Sequence, residues 1–405
     1  GTTSDGTVVE LGGQWIGPGQ DRIEALAAEL GLETFPTYNE GDNVVSYAGR
    51  LRRYRGAIPK LPPHVLAGVG AAQLLLDRMA PKVPLEAPWE AAKARDWDGQ
   101  TLETWIRRHV WPEGARHMLR LGVSSVFAAE AADLSLLHFL FYSHSGGLLD
   151  SLFNVAGGAQ ERRFVGGSQR LALAMADALG SCVVLGSPVL SITQGRDELK
   201  VVSRRESLSA RAAVVTVPPA LSQRIEFDPP LPADRAQLVQ RMPMGSVIKV
   251  MAVYDSPFWR HEGLTGQSTS DTGPVRITFD NSPPGPGPGV MLGFVEGQDA
   301  RALAGAPEQE VGRQALGCFA RCFGPRAASP AEVIVQDWSK EHWSGGCYGA
   351  FLAPGVLTSF GPALRRPCGR IHWAGTEAAT RWCGYMDGAL RSGEEVARRV
   401  AQALS

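Results

Sequence analysis

The residue with the fewest structural reasons for its position is a lysine inside an apolar run. Lys249 lies in GSVIKVMAVY, which spans residues 245–254. If this segment is a buried strand, burial lowers the pKa of the ammonium group and requires polar partners around it. If the strand is half exposed, its period-2 alternation places Lys249 on the solvent face instead. The segment alone leaves both interpretations open.

Aromatic residues and glycines combine in a second cluster, WSKEHWSGGCYG at residues 338–349. Trp343 and Tyr348 flank a Ser-Gly-Gly-Cys turn. Glycine lets backbone approach a flat ligand closely, and aromatic faces suit a planar cofactor or an amine. Taken alone, a glycine turn with partly buried aromatic residues is the simpler interpretation.

Near the C-terminus, a strand-like run leads into Gly375 and a helix is predicted to begin at Gly384-Tyr385-Met386. The free N–H groups and the dipole at a helix start stabilise an anion, including the anion of a reduced cofactor. A strand–turn–helix unit without any ligand is the commoner use of such a pattern. Both interpretations apply to this segment.

Two further glycine patterns differ in how well they fit a cofactor-binding turn. GGQWIGPGQDR, at residues 12–22, is a strand-to-helix turn that either approaches a cofactor or is simply tight. Gly68-Val69-Gly70 resembles the start of a dinucleotide loop, but it lacks a preceding strand and a third glycine, so we assign it to a helix or to the segment that leads into one. Neither GxSxG nor a Cys with a His partner is present to support a nucleophile.

The elements that position these residues alternate between helical and strand-like runs, which predicts a mixed α/β fold. We expect helices over 21–30, 308–323 and 384–404, a mostly helical region over 100–150, and strands over 213–217, 246–254 and 371–374. The clearest loop is NSPPGPGPG at 281–289.

The amino-acid composition and net charge limit the classes of function that are possible. The 405 residues are 44% hydrophobic, enough for a large core and two domains, and the net charge of −1 gives no case for nucleic acid or an anionic membrane. The six cysteines show no metal-binding spacing and favour a reducing compartment, so we expect a cytoplasmic protein. The start does not read as a signal peptide and the last helix is charged, so no membrane anchor is expected.

Seven motifs, in register over nearly the whole chain, resemble the flavin-containing monoamine oxidase family. They are ELGGQWIGPGQDRI at 10–23, GGAQERRFVGGS at 157–168, VPPAL at 217–221, FDPPLP at 227–232, MPMGSVIKVMAVYDSPFW at 242–259, WSGGCYGAF at 343–351 and AGTEAATRWCGYMDGA at 374–389. No single motif is decisive, but together they are specific.

The resemblance implies an α/β (α+β) architecture. A Rossmann-like FAD-binding domain would comprise the discontinuous segments 1–34, 165–239 and 341–405. A substrate-binding domain with a mixed sheet and helices would comprise 35–164 and 240–340.

It also implies oxidation of an arylalkylamine-like primary amine. A hydride equivalent passes to flavin N5, O2 is reduced to H2O2, and the imine hydrolyses to an aldehyde. The flavin supplies the redox chemistry and the protein supplies position and electrostatics.

The family's functional residues carry over one by one. Lys249 matches the lysine that holds a water near flavin N5, and Tyr348 and Tyr385 match the pair of tyrosines that sandwich the amine. Cys347 matches the position where some members bind flavin covalently through sulfur. The other positions that match flavin contacts are Gly12, Gly13, Gln14, Trp15, Val189, Trp338, Gly375, Thr376, Glu377, Tyr385 and Met386. Phe153, Gln160, Ile277 and Phe294 match the substrate cavity, with Phe153 at its gate.

The family's opening βαβ unit with its GxGxxG loop is not found in the sequence, although it provides the main pyrophosphate site. We therefore expect that another chain or segment supplies it or that it was cut away, and a homodimer is also compatible with the sequence. Two other functions stay open. An L-amino-acid oxidase would need an arginine for the substrate carboxylate, for which Arg276 is the candidate. A non-catalytic subunit or remnant is opposed by the joint presence of Lys249, Tyr348 and Tyr385.

Overall fold

A computed structural model describes residues 1–405 and shows the mixed α/β fold that the sequence predicts. Sixteen strands and fourteen α-helices alternate along the chain. The strands are β1 (Trp15–Ile16), β2 (Thr34–Pro36), β3 (Asp42–Tyr47), β4 (Arg50–Tyr54), β5 (Arg162–Phe164), β6 (Val189–Gln194), β7 (Leu199–Ser203), β8 (Ser207–Ala210), β9 (Ala213–Val215), β10 (Glu226–Asp228), β11 (Val247–Tyr254), β12 (Leu264–Ser270), β13 (Val275–Asp280), β14 (Gly289–Glu296), β15 (Glu332–Asp337) and β16 (Ile371–Trp373). The helices are α1 (Asp21–Glu29), α2 (Pro63–Met79), α3 (Ala94–Asp98), α4 (Leu102–His109), α5 (Glu113–Phe127), α6 (Leu136–Ser145), α7 (Leu148–Phe153), α8 (Gln169–Leu179), α9 (Ala233–Val239), α10 (Phe258–His261), α11 (Gly297–Leu303), α12 (Glu308–Phe323), α13 (Val356–Phe360) and α14 (Met386–Leu404).

The largest sheet has seven strands in the order β15-β11-β14-β13-β12-β3-β4. Its neighbours are antiparallel except β12 and β3, which pair in parallel although more than 200 residues separate them. Three smaller sheets have the orders β1-β5-β2, β10-β6-β7-β8 and β16-β9. The fold therefore brings distant parts of the chain together within single sheets.

Strand β11 explains why an apolar run can contain a lysine. All eight of its residues are buried, because β14 and β15 flank it and both faces of the sheet are covered. On one face, Ile248 and Val250 pack with residues of α12. On the other face, Val247 and Met251 pack with the N-terminal segment. Since strand residues alternate between faces, Lys249 points toward that N-terminal segment.

The helices between β4 and β5 form the largest apolar core, a cluster of 40 buried residues. It confirms the predicted helical region over 100–150, which contains α4, α5 and α6 and the start of α7. This core supports the side of the site that faces away from the large sheet.

The predicted elements are present with small boundary differences. Helix α12 begins and ends where the sequence predicts, α1 ends one residue earlier, and β9 ends at Val215 rather than Val217. The Gly68-Val69-Gly70 segment lies inside α2, which confirms its assignment to a helix. None of the helices combines the length and apolar composition needed to cross a membrane.

Candidate active site

A cavity of about 1640 Å³ lies between the large sheet, the helical core and the turn that precedes α14. It is larger than the roughly 300–1,000 Å³ of an ordinary small-ligand site, so it has room for a large planar group and a second molecule. All but one of the site residues predicted from the sequence line it. They are Gly12, Gly13, Gln14, Trp15, Phe153, Gln160, Lys249, Ile277, Phe294, Trp338, Cys347, Tyr348, Gly375, Thr376, Glu377, Tyr385 and Met386.

Val189 is the exception. It lies at the start of β6, in a different sheet, where it pairs with Ser203 and is 36% exposed. Trp343 also lies outside the cavity lining and is 63% exposed, so it forms no wall of the site. The adjacent residues Cys347 and Tyr348 do line it.

Lys249 is buried, so the interpretation as a solvent-facing lysine is wrong. Its Nζ donates hydrogen bonds to the carbonyl oxygens of Glu10 at 2.7 Å and Gly12 at 2.9 Å, and to Oε1 of Gln14 at 3.0 Å. These three acceptors match the three protons of the ammonium group. Burial lowers the pKa of Lys249 to about 8. The lysine therefore anchors the glycine turn of residues 12–14 to the central strand.

This anchor continues into a buried polar chain that the sequence did not reveal. Nε2 of Gln14 donates to Oδ1 of Asn281 at 2.8 Å, and the buried Arg163 donates to the same oxygen at 2.5 Å. Arg163 also donates to the carbonyl oxygen of Ser282. The start of the proline-rich loop thus fixes the glycine turn, whereas the sequence predicted only that residues 281–289 form a loop.

Aromatic side chains surround two tyrosines of the cavity wall. Tyr348 lies edge-on to Phe294, with ring centroids 6.1 Å apart. The ring centroid of Tyr385 lies 5.0 Å from that of Trp382 and 6.1 Å from that of Tyr142. Burial raises the pKa of both Tyr348 and Tyr385, so both phenols are neutral at physiological pH. Neutral phenol rings in apolar surroundings suit contact with an amine nitrogen.

The turn before α14 combines a glycine with an uncapped helix start. Gly375 has φ of +129°, a conformation that L side chains rarely adopt, so the backbone is exposed to the cavity there. No side chain caps α14 at Tyr385, which leaves its first N–H groups for a ligand. Glu377 accepts a hydrogen bond from the Ala350 N–H at 3.0 Å, and burial raises the pKa of Glu377.

Trp338 and Cys347 complete the wall that faces the glycine turn. Nε1 of Trp338 donates to the carbonyl oxygen of Leu11 at 2.8 Å. A Cβ added at Gly12 would lie 3.1 Å from the Trp338 ring, so glycine permits this close packing. Burial raises the pKa of Cys347 to about 12, although the nearby Lys249 opposes that effect. Cys347 is therefore a thiol in the surroundings described.

Comparison with known proteins decides the family. Residues 2–401 match the model of the flavin containing amine oxidoreductases. The chain belongs to this family. It is 41% identical over 399 residues to the putative flavin-containing monoamine oxidase AofH of Mycobacterium tuberculosis, which covers 98% of this chain and 87% of that protein. It is 36% identical over 402 residues to human amine oxidase [flavin-containing] B, covering 98% of this chain and 77% of the relative.

Solved structures agree with the sequence relatives. Wild-type putrescine oxidase bound to putrescine superposes with a TM-score of 0.96 at 31% identity, covering 99% of this chain and 90% of that one. Cyclohexylamine oxidase from Brevibacterium oxydans IH-35A gives a TM-score of 0.92 at 32% identity, covering 97% and 88%. This amine oxidase is therefore an FAD-dependent enzyme that oxidatively deaminates amines, with O2 as the second substrate.

The cavity of this amine oxidase fits the ring system of FAD. Aromatic side chains such as Trp15, Trp338 and Tyr348 line the cavity, and glycines at positions 12 and 375 leave the backbone there without a side chain. The ring becomes an anion when it is reduced, and both Lys249 and the start of α14, which line the cavity, supply positive charge. The residues present therefore match the cofactor that the family uses.

Proposed function

We propose that this enzyme oxidises primary amines that carry an apolar, arylalkyl-like group. One observation carries the proposal. Tyr348 and Tyr385 line the same cavity as Phe294, Trp15 and Tyr142. Such rings hold an apolar amine by contact area and orient its nitrogen by their electron-rich faces.

Each predicted site residue has a proposed task consistent with its position. Tyr348 and Tyr385 orient the amine, and Lys249 with residues 12–14 and Trp338 holds the cofactor ring against them. FAD, when bound, accepts the hydride equivalent from the carbon next to nitrogen. Phe153, at the end of α7 and 42% exposed, is proposed to stand at the entrance. Ile277 pairs with Phe294 and forms the adjacent wall with Gln160.

The amino-acid oxidase alternative loses its candidate residue. Nε of Arg276 donates to Asp299 at 3.0 Å, its NH1 donates to the carbonyl oxygen of Asp271 at 2.6 Å, and Arg276 does not line the cavity. Arg55 is the only arginine of the lining, and its side chain is 80% exposed and lies beside Asp42. A substrate carboxylate therefore has no buried arginine partner inside the cavity.

Peroxide release with a panel of amines and amino acids tests this proposal on the FAD-loaded enzyme. We expect turnover of phenylethylamine and tyramine, and loss of most of that activity in Tyr385→Ala but not in the Leu51→Ala control, whose side chain is 52% exposed on β4. Turnover of amino acids instead would support the amino-acid oxidase. Absence of peroxide with every substrate would support the non-catalytic alternative.

A thioether between Cys347 and FAD is part of the proposal. Cys347 lines the cavity and belongs to the wall that contains Tyr348 and Phe294. The C–S bond would form as the thiol loses its proton and a methyl group of the ring loses one hydrogen. O2 would take up the two electrons and the two protons as H2O2. Acid precipitation should leave yellow flavin on the protein and release it from Cys347→Ala. Cys383→Ala, which changes another buried cysteine, is the control; release from the unaltered enzyme would contradict the bond.

An apolar surface supports docking of a separate nucleotide-binding unit. Nine of the 17 exposed large hydrophobic residues lie between Leu173 and Val217, which is far more than this short stretch would carry by chance. Exposed apolar clusters of this kind mark contact surfaces. We propose that a βαβ unit from another segment or chain covers them and binds the ADP part of FAD, with Val189 near the adenine. Stoichiometric FAD in residues 1–405 expressed alone would refute this.

The remaining sequence-based expectations stay proposals with partial support. All six cysteines are free, as expected for a protein of a reducing, cytoplasmic compartment. The division into an FAD-binding domain and a substrate-binding domain, and a homodimer, are proposed on the resemblance alone.

A further inference from the structure

A buried carboxylate without a cation stands in the cavity wall. Glu296 is the last residue of β14, is 3% exposed and lines the cavity. Its Oε1 accepts a hydrogen bond from the Tyr348 hydroxyl at 2.7 Å. Its Oε2 is buried and has no hydrogen-bond partner. Buried charged groups are normally paired, so this oxygen is a strong acceptor in need of a donor.

The groups around Glu296 offer no positive charge. Glu130 and Asp299 are acidic neighbours, and Asp299 is already paired with Arg276. The Ser125 hydroxyl lies close enough to the carboxyl to lower the pKa of Glu296, but its proton is donated to the Leu121 carbonyl oxygen at 2.8 Å. Lys249, on the neighbouring strand, has all three protons occupied by other acceptors. Burial, aided by these acidic neighbours, raises the pKa of Glu296 to about 7.

We infer that Glu296 is an anionic subsite that binds the ammonium group of the incoming amine through Oε2, next to Tyr348. This inference rests on the proposed amine cage of Tyr348 and Tyr385. The cavity then recognises its substrate by charge as well as by its aromatic walls. A protonated amine held there also has an acceptor for the proton that it has to lose before its nitrogen lone pair is free.

A purely positioning role for Glu296 makes a different prediction. In that case the carboxyl would only hold the Tyr348 hydroxyl, and a glutamine at the same position could accept that hydrogen bond equally well. The charge of Glu296 would then be irrelevant to ligand affinity. A pair of ligands with the same shape and different charge separates the two roles.

Benzamidine and benzamide form such a pair, because the first is a stable cation without an oxidisable α-carbon and the second is its neutral counterpart. Binding to the FAD-loaded enzyme is followed at pH 8 by the change in flavin absorbance, which requires no turnover. We expect benzamidine to bind at least about 10-fold more tightly than benzamide, as is typical for a charge-assisted hydrogen bond. Glu296→Gln should abolish this preference and leave benzamide affinity within about twofold.

Two further variants make the result decisive. Glu296→Asp keeps the charge and should retain part of the preference for benzamidine, which also guards against a folding defect in the glutamine variant. Tyr348→Phe removes only the hydroxyl and should keep the preference. An unchanged preference in Glu296→Gln, or its equal loss in Tyr348→Phe, would overturn the anionic subsite. Absence of amine turnover in the unaltered enzyme would instead count against the proposed function, whatever benzamidine does.

Discussion

Lys249 joins the central strand of the large sheet to the glycine turn of residues 12–14. The sequence left its environment open, because an apolar run with one lysine suits a buried strand and a half-exposed one. The decisive fact is the pairing of β11 on both edges with cover on both faces, which no local pattern contains. The identity of its acceptors, two of them backbone carbonyls, was equally beyond sequence reasoning.

Lys249→Met should destabilise the protein by about 2–4 kcal/mol, because three buried acceptors lose their donor while the apolar packing is kept. Urea unfolding of both proteins measures the difference. Lys340→Met is the matched control, since the Lys340 side chain is 54% exposed and forms only a surface ion pair at 3.7 Å. Equal losses in the two variants would show that the three hydrogen bonds of Lys249 contribute little.

Glu296 should make stability depend on pH in the absence of an amine. Its pKa is raised from 4.5 to about 7, so between these values the folded protein holds a proton that the unfolded chain has lost. The contribution of Glu296 to the free energy of unfolding therefore falls as pH rises from about 4.5 through 7. Glu296→Gln removes the buried ionisable group. The free energy of unfolding of this variant should exceed that of the unaltered protein by on the order of 3 kcal/mol at pH 8, and should not exceed it at pH 4.5.

Thermal or urea unfolding across pH 4.5–8 measures this difference. Glu29→Gln serves as the control, because Glu29 is exposed on α1. A gain for Glu296→Gln that is the same at both ends of the range would contradict burial of an ionisable carboxyl.

At the scale of elements, one aspartate joins two helices that are more than 350 residues apart. Asp387, in the first turn of α14, is fully buried. Its Oδ1 accepts hydrogen bonds from the N–H groups of Arg22 at 2.8 Å and Ile23 at 3.0 Å, at the start of α1. Helix α1 has no side-chain cap of its own at Gln20. A residue of one helix therefore caps the other.

Asp387→Ala should lower the free energy of unfolding by about 2–4 kcal/mol, because two buried N–H donors lose their acceptor and Arg391 loses the nearer of its two carboxylate partners. It should also weaken FAD retention, since α14 starts at the cavity wall. Asp96→Ala, at an exposed position of α3, is the control for unfolding measurements and for bound flavin. A loss no larger than that of the control would mean that the cap is dispensable.

Sequence patterns predicted which elements exist better than how they pair. The hydrophobic periodicity of α12 and the apolar run of β11 gave their positions nearly residue for residue. The parallel pairing of β3 with β12 and the short sheet of β1, β5 and β2 follow from the packing of the whole chain, so no local signal announced them. Glu296 was missed for the same reason, since its meaning depends on Tyr348, 52 residues further on.

At the scale of the whole molecule, the apolar surface over residues 173–217 should govern association. Leu179 and Leu185 are 57% and 77% exposed there. Replacing both by lysine should reduce concentration-dependent self-association of the chain in sedimentation velocity experiments, because each buried leucine contributes favourably to a contact and each lysine opposes it. Leu51→Lys, which changes a 52% exposed leucine on β4, should have little effect. Equal effects at both places would deny this surface any special role.

The hydrogen bonds of Lys249 also join segments of the chain that are synthesised at different times. Its acceptors are made 235 to 239 residues before it, and the turn with Gly375 and Tyr385 is made more than 120 residues after it. A nascent chain that has emerged only as far as β11 lacks this last wall, so it cannot enclose the isoalloxazine ring. Enclosure of the cofactor ring therefore requires near-complete synthesis, because a chain that ends before Gly375 lacks this wall of the cavity.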